Sequence, residues 1–229
     1  MTSIDPVTSR GRFDAGLGMW VRVPGGPLAS PRPALFLDRD GVIVEDPGYL
    51  CRLADMILIP GVAEVIGLAN RRAIPVIEVT NQAGIGRGYY GWEQFLEVEE
   101  ALAGELGRSG AVIDAVFACP YHRDGIPPWA HPAHPARKPR PGMLMAASRF
   151  LNIDLESSWI VGDKHSDLLV GHNAGLRGGM HVLTGHGAKH RQAALTFCHA
   201  EFEVRFGDSI RDAAGLLEGL APSRRPDGR

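Results

Sequence analysis

Short apolar runs that alternate with helical segments constrain the fold more than any other feature of this chain. Residues 34–37, 74–79 and 159–161 are apolar at almost every position. Strands of this kind are buried on both faces, as in a parallel sheet. Because helical patterns separate them, we predict an α/β fold, with a doubly wound, mostly parallel sheet and helices on both faces.

The same alternation runs through the rest of the chain and leaves no room for a large cap domain. The further expected strands lie at 112–118, 181–183 and 202–204. The first expected helix begins at Pro60-Gly61. The other expected helices cover 92–106, 141–150, 167–174 and 209–220. Between Asp40 and Thr80 a turn, a helix and a strand use up the available residues, so we expect an open, capless domain.

Composition divides the chain into an N-terminal part, a body and a tail. The end of residues 1–33 is rich in Gly and Pro, so we expect an arm or linker that contacts the body through residues 19–21. Residues 34–220 are expected to form one domain, and 221–229 a frayed tail. A Pro/His-rich loop at 119–141 interrupts the domain, and loops of this length are usually functional.

Charge and cysteine content argue against several classes of protein. The chain carries 24 basic and 26 acidic residues, so bulk attraction to nucleic-acid phosphates is not expected. We expect no membrane span and no secretory signal, because no apolar stretch is long enough. Three widely spaced cysteines suggest no disulfide framework and favour a reducing, cytoplasmic location. The oligomeric state is left open, with a monomer as the expectation.

Polar residues end the predicted strands. Asp38, Thr80, Cys119 and Asp163 each follow an apolar run. In doubly wound sheets, ligands bind beyond the carboxyl ends of the strands. We therefore expect these side chains to lie at one site.

Carboxylates at two of these strand ends predict a magnesium site. Asp38 and Asp40 stand two residues apart, and Gly41 permits a turn that brings them together. Asp163 and Asp167 add carboxylates from another strand. Oxygen ligands without His or Cys suit Mg²⁺, which leaves room for a substrate phosphate. Taken alone, the segment from Asp38 to Gly41 is equally compatible with an ordinary turn.

Two further segments suit a phosphate group. The loop from Thr80 to Gly88 offers a hydroxyl, amides and glycine N–H groups. Lys138 can neutralise phosphate charge, although an isolated lysine is more often a solvated surface residue. With a nucleophilic aspartate and a second carboxylate as acid and base, these groups predict phosphoryl transfer.

The order of these motifs resembles the haloacid dehalogenase-like (HAD-like) phosphatases. The matching segments are Asp38-Arg39-Asp40-Gly41, Thr80-Asn81-Gln82, Arg137-Lys138-Pro139 and Gly162-Asp163-Lys164 with Asp167. The resemblance covers about residues 34–220. Within the family, the chain is most similar to the branch of the histidinol-phosphate and heptose bisphosphate phosphatases.

The resemblance implies a role for each motif residue. Asp38 would be the nucleophile and Asp40 the general acid and base. Mg²⁺ would be held by the side chains of Asp38 and Asp163 and by the backbone carbonyl of Asp40. Thr80 and Lys138 would bind the transferring phosphate.

Asp167 would orient Lys164 or the water molecules on the metal. The substrate-binding residues implied are Asn81, Gln82, Arg87 and Arg137, with the two arginines holding a second phosphate. Selectivity would come from loops 43–52, 83–91 and 119–137.

Two local segments favour a phosphorylated sugar as the substrate. Gly84 to Tyr90 and Asp46 to Tyr49 resemble loops of the heptose bisphosphate phosphatases. The expected reaction is therefore removal of the 7-phosphate from a heptose 1,7-bisphosphate. Histidinol phosphate is an alternative substrate, and a non-catalytic phospho-ligand binder is an alternative class. A nucleic-acid end-processing phosphatase fits the net charge of −2 less well.

The 119–141 loop raises the question of a structural zinc. Many relatives hold zinc there through Cys and His pairs, but Tyr121 and Ala136 stand at two of those positions. Four side chains remain that can form a tetrahedral site, namely Cys119, His122, His131 and His134. The alternative is a loop stiffened by proline without metal. We assign no site role to the other histidines, among which only His165 is expected near the site.

Overall fold

The structure, a computed structural model, describes residues 11–220 as an α/β fold on one eight-stranded sheet. The strands are β1 (Arg12–Asp14), β2 (Met19–Arg22), β3 (Leu35–Leu37), β4 (Val76–Asn81), β5 (Ala115–Cys119), β6 (Trp159–Gly162), β7 (Gly178–His181) and β8 (Glu203–Phe206). Their order is β1-β2-β5-β4-β3-β6-β7-β8. All pairings from β5 to β8 are parallel, which confirms the predicted doubly wound, mostly parallel sheet.

Helices cover both faces of the sheet. They are α1 (Val62–Arg71), α2 (Ala83–Gly86), α3 (Trp92–Arg108), α4 (Gly142–Leu151), α5 (His165–Asn173), α6 (Gly187–Leu195) and α7 (Leu217–Leu220), with 3₁₀ turns at Leu53–Asp55 and Ile210–Leu216. Between β3 and β4 the described chain holds one 3₁₀ turn and α1, so no cap domain is inserted there. No helix in residues 11–220 has the length and hydropathy needed to cross a membrane.

Alternate residues of the central strands pack into two separate hydrophobic cores, one on each face of the sheet. Leu35 and Leu37 of β3 pack in the core under α1 and α3, whereas Phe36 packs in the core under α4 and α5. All three side chains are fully buried. The apolar runs in the sequence therefore reflect burial on both faces, as predicted.

The expected N-terminal arm is, in its described part, a hairpin of the sheet. β1 pairs with β2, and β2 pairs antiparallel with β5 at the register Trp20↔Ala118. Residues 19–21 are buried, as expected, but they contact the body as a strand rather than as a linker. The signal was missed because β1 is three residues long and ends in a Gly-rich turn. Residues 1–10 of the arm and the tail at 221–229 lie outside the described residues.

Several other elements differ from the sequence expectation, among them the strand expected at 181–183, which is β7 at Gly178–His181. The sequence does not predict helix α6. Only Gly187 and Ala194 of this helix are buried, so its sequence has no apolar stripe at helical spacing. The helix expected at 209–220 is mostly a 3₁₀ turn. β5 begins at Ala115, since Asp114 instead accepts a hydrogen bond from the backbone of Val76.

The hairpin predicts a large stability effect at Trp20. Its side chain is 3% exposed, and its ring lies 5.3 Å from that of Phe95 in an edge-to-face contact. Trp20→Ala should therefore lower the free energy of unfolding by about 3–5 kcal/mol, measured by urea denaturation. Val112→Ala, at a position 55% exposed, is the control and should change it by less than about 0.5 kcal/mol. Similar small changes in both variants would contradict a hairpin integrated in the sheet.

Candidate active site

The carboxyl ends of β3 and β6 form the centre of the site. These neighbouring strands lie where the strand order reverses, the usual ligand position in open α/β sheets. Asp38 follows β3 directly and Asp163 follows β6. A cavity of about 310 Å³ lies at these strand ends. Its lining includes Asp38, Asp40, Asp46, Tyr49, Asn81, Gln82, Tyr90, Arg137, Lys138, Lys164 and His186.

Lys138 is the buried cation at the base of this cavity. Its Nζ lies 2.8 Å from Asp38 Oδ2 and 2.7 Å from Asp167 Oδ1, and it donates to Val79 O at 3.0 Å. Burial alone would lower the pKa of Lys138, but the charges of Asp167 and Asp38 outweigh burial and raise it. The lysine therefore stays protonated, as an anion-binding group requires.

Asp163 has the features of a cation ligand. Oxygen atoms of Asp38, Asp163 and Asp167 lie within 4.8 Å of one another. Within residues 11–220, the buried Oδ1 of Asp163 has no hydrogen-bond donor, whereas Oδ2 accepts from His186 N at 2.7 Å. Burial, and then the charge of Asp38, raise the pKa of Asp163 to about 7. A divalent cation would relieve this crowding, and the all-oxygen donor set fits Mg²⁺.

Two glycines let the loops close around the Asp163 carboxylate. Gly41 and Gly185 both have positive φ, +88° and +60°. A Cβ at either position would lie 2.5 Å from Asp163 Oδ2. The turn after Asp40 therefore requires glycine both for its conformation and for the close approach.

Asp167 contacts Lys138 rather than the side chain of Lys164. Its Oδ1 faces Lys138 Nζ, and its Oδ2 accepts from the backbone N–H of Lys164 at 3.0 Å. We expected Asp167 to orient Lys164 or metal-bound water. In the structure Asp167 bonds the backbone of Lys164 and, in addition, pairs directly with the buried Lys138.

Asp40 is held by donors from two sides. Arg39 Nε donates to its Oδ1 at 3.0 Å and Arg39 Nη2 to its Oδ2 at 3.2 Å, while Gln82 Nε2 donates to Oδ2 at 3.1 Å. Arg39 is itself fully buried and donates to Glu99 at 3.1 Å. Burial raises the pKa of Asp40, and the Arg39 charge opposes that rise. The carboxylate is thereby fixed at one edge of the cavity.

Asn81 and Gln82 line the cavity, but their side chains bind the protein itself. Asn81 accepts from Lys138 N at 3.1 Å and donates to Lys138 O at 3.2 Å, so it clamps the lysine's backbone. Gln82 Nε2 also donates to Thr80 Oγ1 at 2.8 Å. Thr80 is 1% exposed and does not line the cavity, and because its Oγ1 accepts this bond, its own hydroxyl proton is left to donate.

The two candidate arginines occupy different surroundings. Arg137 lines the cavity and donates to Tyr121 O at 2.8 Å. Arg87 does not line it, and its guanidinium is bound by Tyr49 Oη at 2.9 Å and Asp124 Oδ2 at 3.2 Å, with His122 alongside. Arg87 therefore joins loops 43–52, 83–91 and 119–137 to one another.

Three residues of the site were not assigned a role from the sequence. Asp46 Oδ2 lies 3.4 Å from Lys164 Nζ and 3.1 Å from His186 Nε2, and all three line the cavity. His165, expected near the site, lies between the lining residues Lys164 and Ser166, and its ring packs against Phe197 with centroids 5.2 Å apart. His186 could not be found from spacing, because it follows strand β7 through an irregular turn rather than ending a predicted strand. Asp46 carried a signal, since its segment was part of the family resemblance.

The four candidate zinc ligands do not converge. Among residues 11–220, the cluster of Asp38, Asp163 and Asp167 is the only group with metal-ligand geometry. The Nδ1 atoms of His122, His131 and His134 accept backbone N–H groups. The Tyr121 ring stacks on His134 at 3.7 Å, and burial raises the pKa of the Cys119 thiol to about 12. Aromatic packing and proline hold this loop in the structure, so the expectation of a Cys-His₃ centre is not supported.

Comparisons with known proteins agree with this fold and with a hydrolase family. A family model described as HAD-hydrolase-like matches residues 135–212. A D-glycero-beta-D-manno-heptose-1,7-bisphosphate 7-phosphatase of Mesorhizobium japonicum is 47% identical over 209 residues, which cover 91% of this chain and 93% of the relative.

Solved structures extend the agreement to three dimensions. A HAD-like phosphatase structure from Mesorhizobium loti superposes with a TM-score of 0.80 at 38% identity, covering 96% of this chain and 99% of that one. The D,D-heptose 1,7-bisphosphate phosphatase of B. bronchiseptica, solved with magnesium and phosphate, gives 0.69 at 27% identity, covering 81% and 98%.

The sheet topology and the strand-end aspartates define a HAD-like hydrolase. Within this class, the chain belongs to the D-glycero-D-manno-heptose-1,7-bisphosphate 7-phosphatase family. The family resemblance drawn from the four sequence motifs is thereby confirmed.

The clamp on Lys138 predicts a selective loss of hydrolytic activity in Asn81→Ala. Without the clamp the lysine shifts, and a misplacement of about 1 Å can reduce the rate by roughly a hundredfold. We expect kcat/KM for phosphate release to fall by about tenfold or more.

A matched control exists in α1. Asn70 makes the same pair of bonds, to N and O of Val112, away from the cavity. Asn70→Ala should lose similar stability, roughly 1–2 kcal/mol, and keep its activity. Equal activity in the two variants would contradict a specific role for the Asn81 clamp.

Proposed function

We propose that the protein is a Mg²⁺-dependent phosphatase that removes the 7-phosphate of D-glycero-D-manno-heptose 1,7-bisphosphate through an aspartyl-phosphate intermediate. The observation that carries the proposal is the Asp38–Lys138–Asp167 ion cluster beside Asp163, in a chain 47% identical to a 7-phosphatase over most of both lengths. The product would supply nucleotide-activated heptose for lipopolysaccharide or a related glycan. Three free cysteines suit a cytoplasmic location.

Asp38 acts as the nucleophile in this proposal. Its Oδ2 is paired with Lys138 at 2.8 Å, and its Oδ1 accepts from Arg39 N at 2.8 Å, so the carboxylate is fixed in direction. It attacks phosphorus, and the bond from phosphorus to the sugar oxygen breaks. The ammonium of Lys138 and the free hydroxyl proton of Thr80 hold the charge on the phosphoryl oxygens.

Asp40 acts as general acid and then as general base. In its protonated form it gives its proton to the departing sugar oxygen, and the resulting carboxylate takes a proton from the water that attacks the aspartyl phosphate. Burial raises the pKa of Asp40, which favours the protonated form that the first step needs. The water leaves its oxygen on phosphorus, and Asp38 is regenerated.

Mg²⁺ would be held by Asp38, Asp163 and the backbone carbonyl of Asp40. Bound there, it would neutralise phosphate charge and act as a Lewis acid. Oδ1 of Asp163 supports this assignment, because it accepts no hydrogen bond within residues 11–220 and its ion-pair partner there is Lys164 Nζ, at 3.5 Å. A structural zinc in the 119–141 loop is not part of the proposal.

A second anion-binding groove supports a bisphosphate as the substrate. A cavity of about 440 Å³ shares Arg137 and Lys138 with the catalytic cavity and is also lined by Arg123 and Arg140. None of its lining residues in the described chain is acidic. Burial lowers the pKa of Arg137, and the charges of Arg87 and Arg123 lower it further. A phosphate beside Arg137 would relieve this repulsion, so we assign Arg137 to the phosphate that is retained.

Arg87 is not assigned to that phosphate. Its donors are already engaged by Tyr49 and Asp124, and it is absent from the lining of both cavities. It supports the substrate site by joining the loops that surround it. Asn81 and Gln82 likewise support the catalytic groups, in place of the substrate contacts expected of them.

The substrate test compares phosphate release from heptose 1,7-bisphosphate, heptose 7-phosphate and histidinol phosphate with Mg²⁺. We expect kcat/KM to be highest for the bisphosphate, by about a hundredfold over histidinol phosphate, or ~2.7 kcal/mol of transition-state discrimination. Arg137→Met should cost roughly tenfold to a hundredfold on the bisphosphate, because a charge-assisted hydrogen bond contributes about 1.5–3 kcal/mol. It should change the rate on heptose 7-phosphate by less than about threefold.

Arg108→Met is the control for loss of a positive charge. Arg108 lies at the exposed end of α3, where it pairs with Glu105, and its replacement should leave both rates unchanged. Preference for histidinol phosphate would contradict the proposed substrate. Equal losses on the bisphosphate and the monophosphate would contradict the role of Arg137.

A further inference from the structure

Gln82 forms hydrogen bonds both to Asp40, the proposed general acid and base, and to Thr80, a proposed phosphate-binding residue. Its Nε2 donates one hydrogen to Asp40 Oδ2 at 3.1 Å and the other to Thr80 Oγ1 at 2.8 Å. The side chain is 1% exposed, so water does not compete for these bonds. The position of its amide group therefore determines how the Asp40 carboxylate is aimed.

The remaining atom of that amide is fixed by Tyr90. Tyr90 Oη donates to Gln82 Oε1 at 2.5 Å. Burial raises the pKa of Tyr90, so its hydroxyl keeps the proton that it donates. All of the polar hydrogens and the oxygen of the Gln82 amide are thus used inside the protein.

The backbone is shaped to admit the Tyr90 ring. A Cβ at Gly84 would lie 2.1 Å from Tyr90 Cε1, so the ring rests directly on the backbone of α2. Tyr90 also lines the catalytic cavity, beside Asp40 and Gln82. Its neighbour Tyr89 is 59% exposed and does not line that cavity.

We propose that Tyr90 is a positioning residue, which holds the Gln82 amide so that Asp40 faces the leaving oxygen of the substrate. This inference rests on the proposed function, because it takes Asp40 as the general acid. Arg39 holds Asp40 from the opposite side, so loss of the Tyr90 hydroxyl should misdirect Asp40 without releasing it.

Substrates with different leaving groups can distinguish a positioning role of Tyr90 from a merely structural one. kcat/KM reports the steps up to departure of the leaving group, so it contains the proton donation by Asp40 and not the later base step. A sugar alkoxide needs that proton, whereas 4-nitrophenolate departs without it. Misdirection of Asp40 should therefore slow the sugar substrate selectively.

The experiment measures kcat and KM of the full-length Tyr90→Phe variant with Mg²⁺ on heptose 1,7-bisphosphate and on 4-nitrophenyl phosphate. We expect kcat/KM on the sugar to fall about tenfold, mainly in kcat, with less than about a twofold change on the aryl phosphate. Thr196→Val removes a hydroxyl from an exposed residue at the end of α6, which lines neither cavity, and should match the wild type on both substrates.

A double-mutant cycle tests whether Tyr90 acts through Gln82. Gln82→Met removes the Gln82 amide and should slow the sugar reaction further than Tyr90→Phe. Adding Tyr90→Phe to Gln82→Met should then cause no additional loss, because the intermediary is gone.

Equal losses on the two substrates, or Tyr90→Phe behaving like Thr196→Val, would overturn the inference while leaving the proposed function intact. Independent, multiplicative losses in the double variant would also overturn it. A wild-type protein that hydrolyses 4-nitrophenyl phosphate but not heptose bisphosphate would overturn the proposed function, and the inference with it.

Discussion

The burial of Lys138 between Asp38 and Asp167 is the interaction on which the site depends. Three ionisable groups from separate segments meet there, with Nζ 2.8 Å and 2.7 Å from the two carboxylates. Removal of one partner from such a buried cluster would leave an uncompensated charge, at a cost of about 3–5 kcal/mol. The cluster therefore links the phosphate-binding cation, the nucleophile and the helix α5 that carries Asp167. Because Asp38 and Asp167 already pair with the single charge of Lys138, an anion would bind there together with a divalent cation.

The sheet explains how distant segments supply these groups. β3 and β6 are neighbours because the chain reverses its winding direction between them, and Asp38 and Asp163 lie at their adjacent ends. Sequence alone was sufficient for this inference, since double-sided burial of the strands predicts a parallel sheet and its ligand edge. The hairpin β1–β2 was not predictable in the same way. Its strands are short. The pairing of β2 with β5 is a tertiary contact, which no local sequence pattern indicates.

The positions of the charged motif side chains could be predicted from the sequence, whereas the contacts of the neutral polar side chains could not. The charged motif residues Asp38, Asp163 and Lys138 meet as expected, because their chemistry has few alternatives when buried. Polar neutral residues were harder to assign, since an amide can serve a substrate or the protein equally well. The side-chain amide of Gln82 forms hydrogen bonds within the protein. Residue spacing could not show that Tyr90 donates a hydrogen bond to its oxygen.

The most direct test of the central claim is to trap the phosphoryl group on the protein. Substrate labelled in the 7-phosphate would be mixed with enzyme and Mg²⁺, quenched in acid within the first turnover, and the peptides mapped by mass spectrometry. We expect label on the carboxylate of Asp38 in the wild type, and none in a folded Asp38→Asn variant, which should have lost turnover. Full-rate phosphate release without label on any carboxylate, or normal turnover by Asp38→Asn, would contradict it.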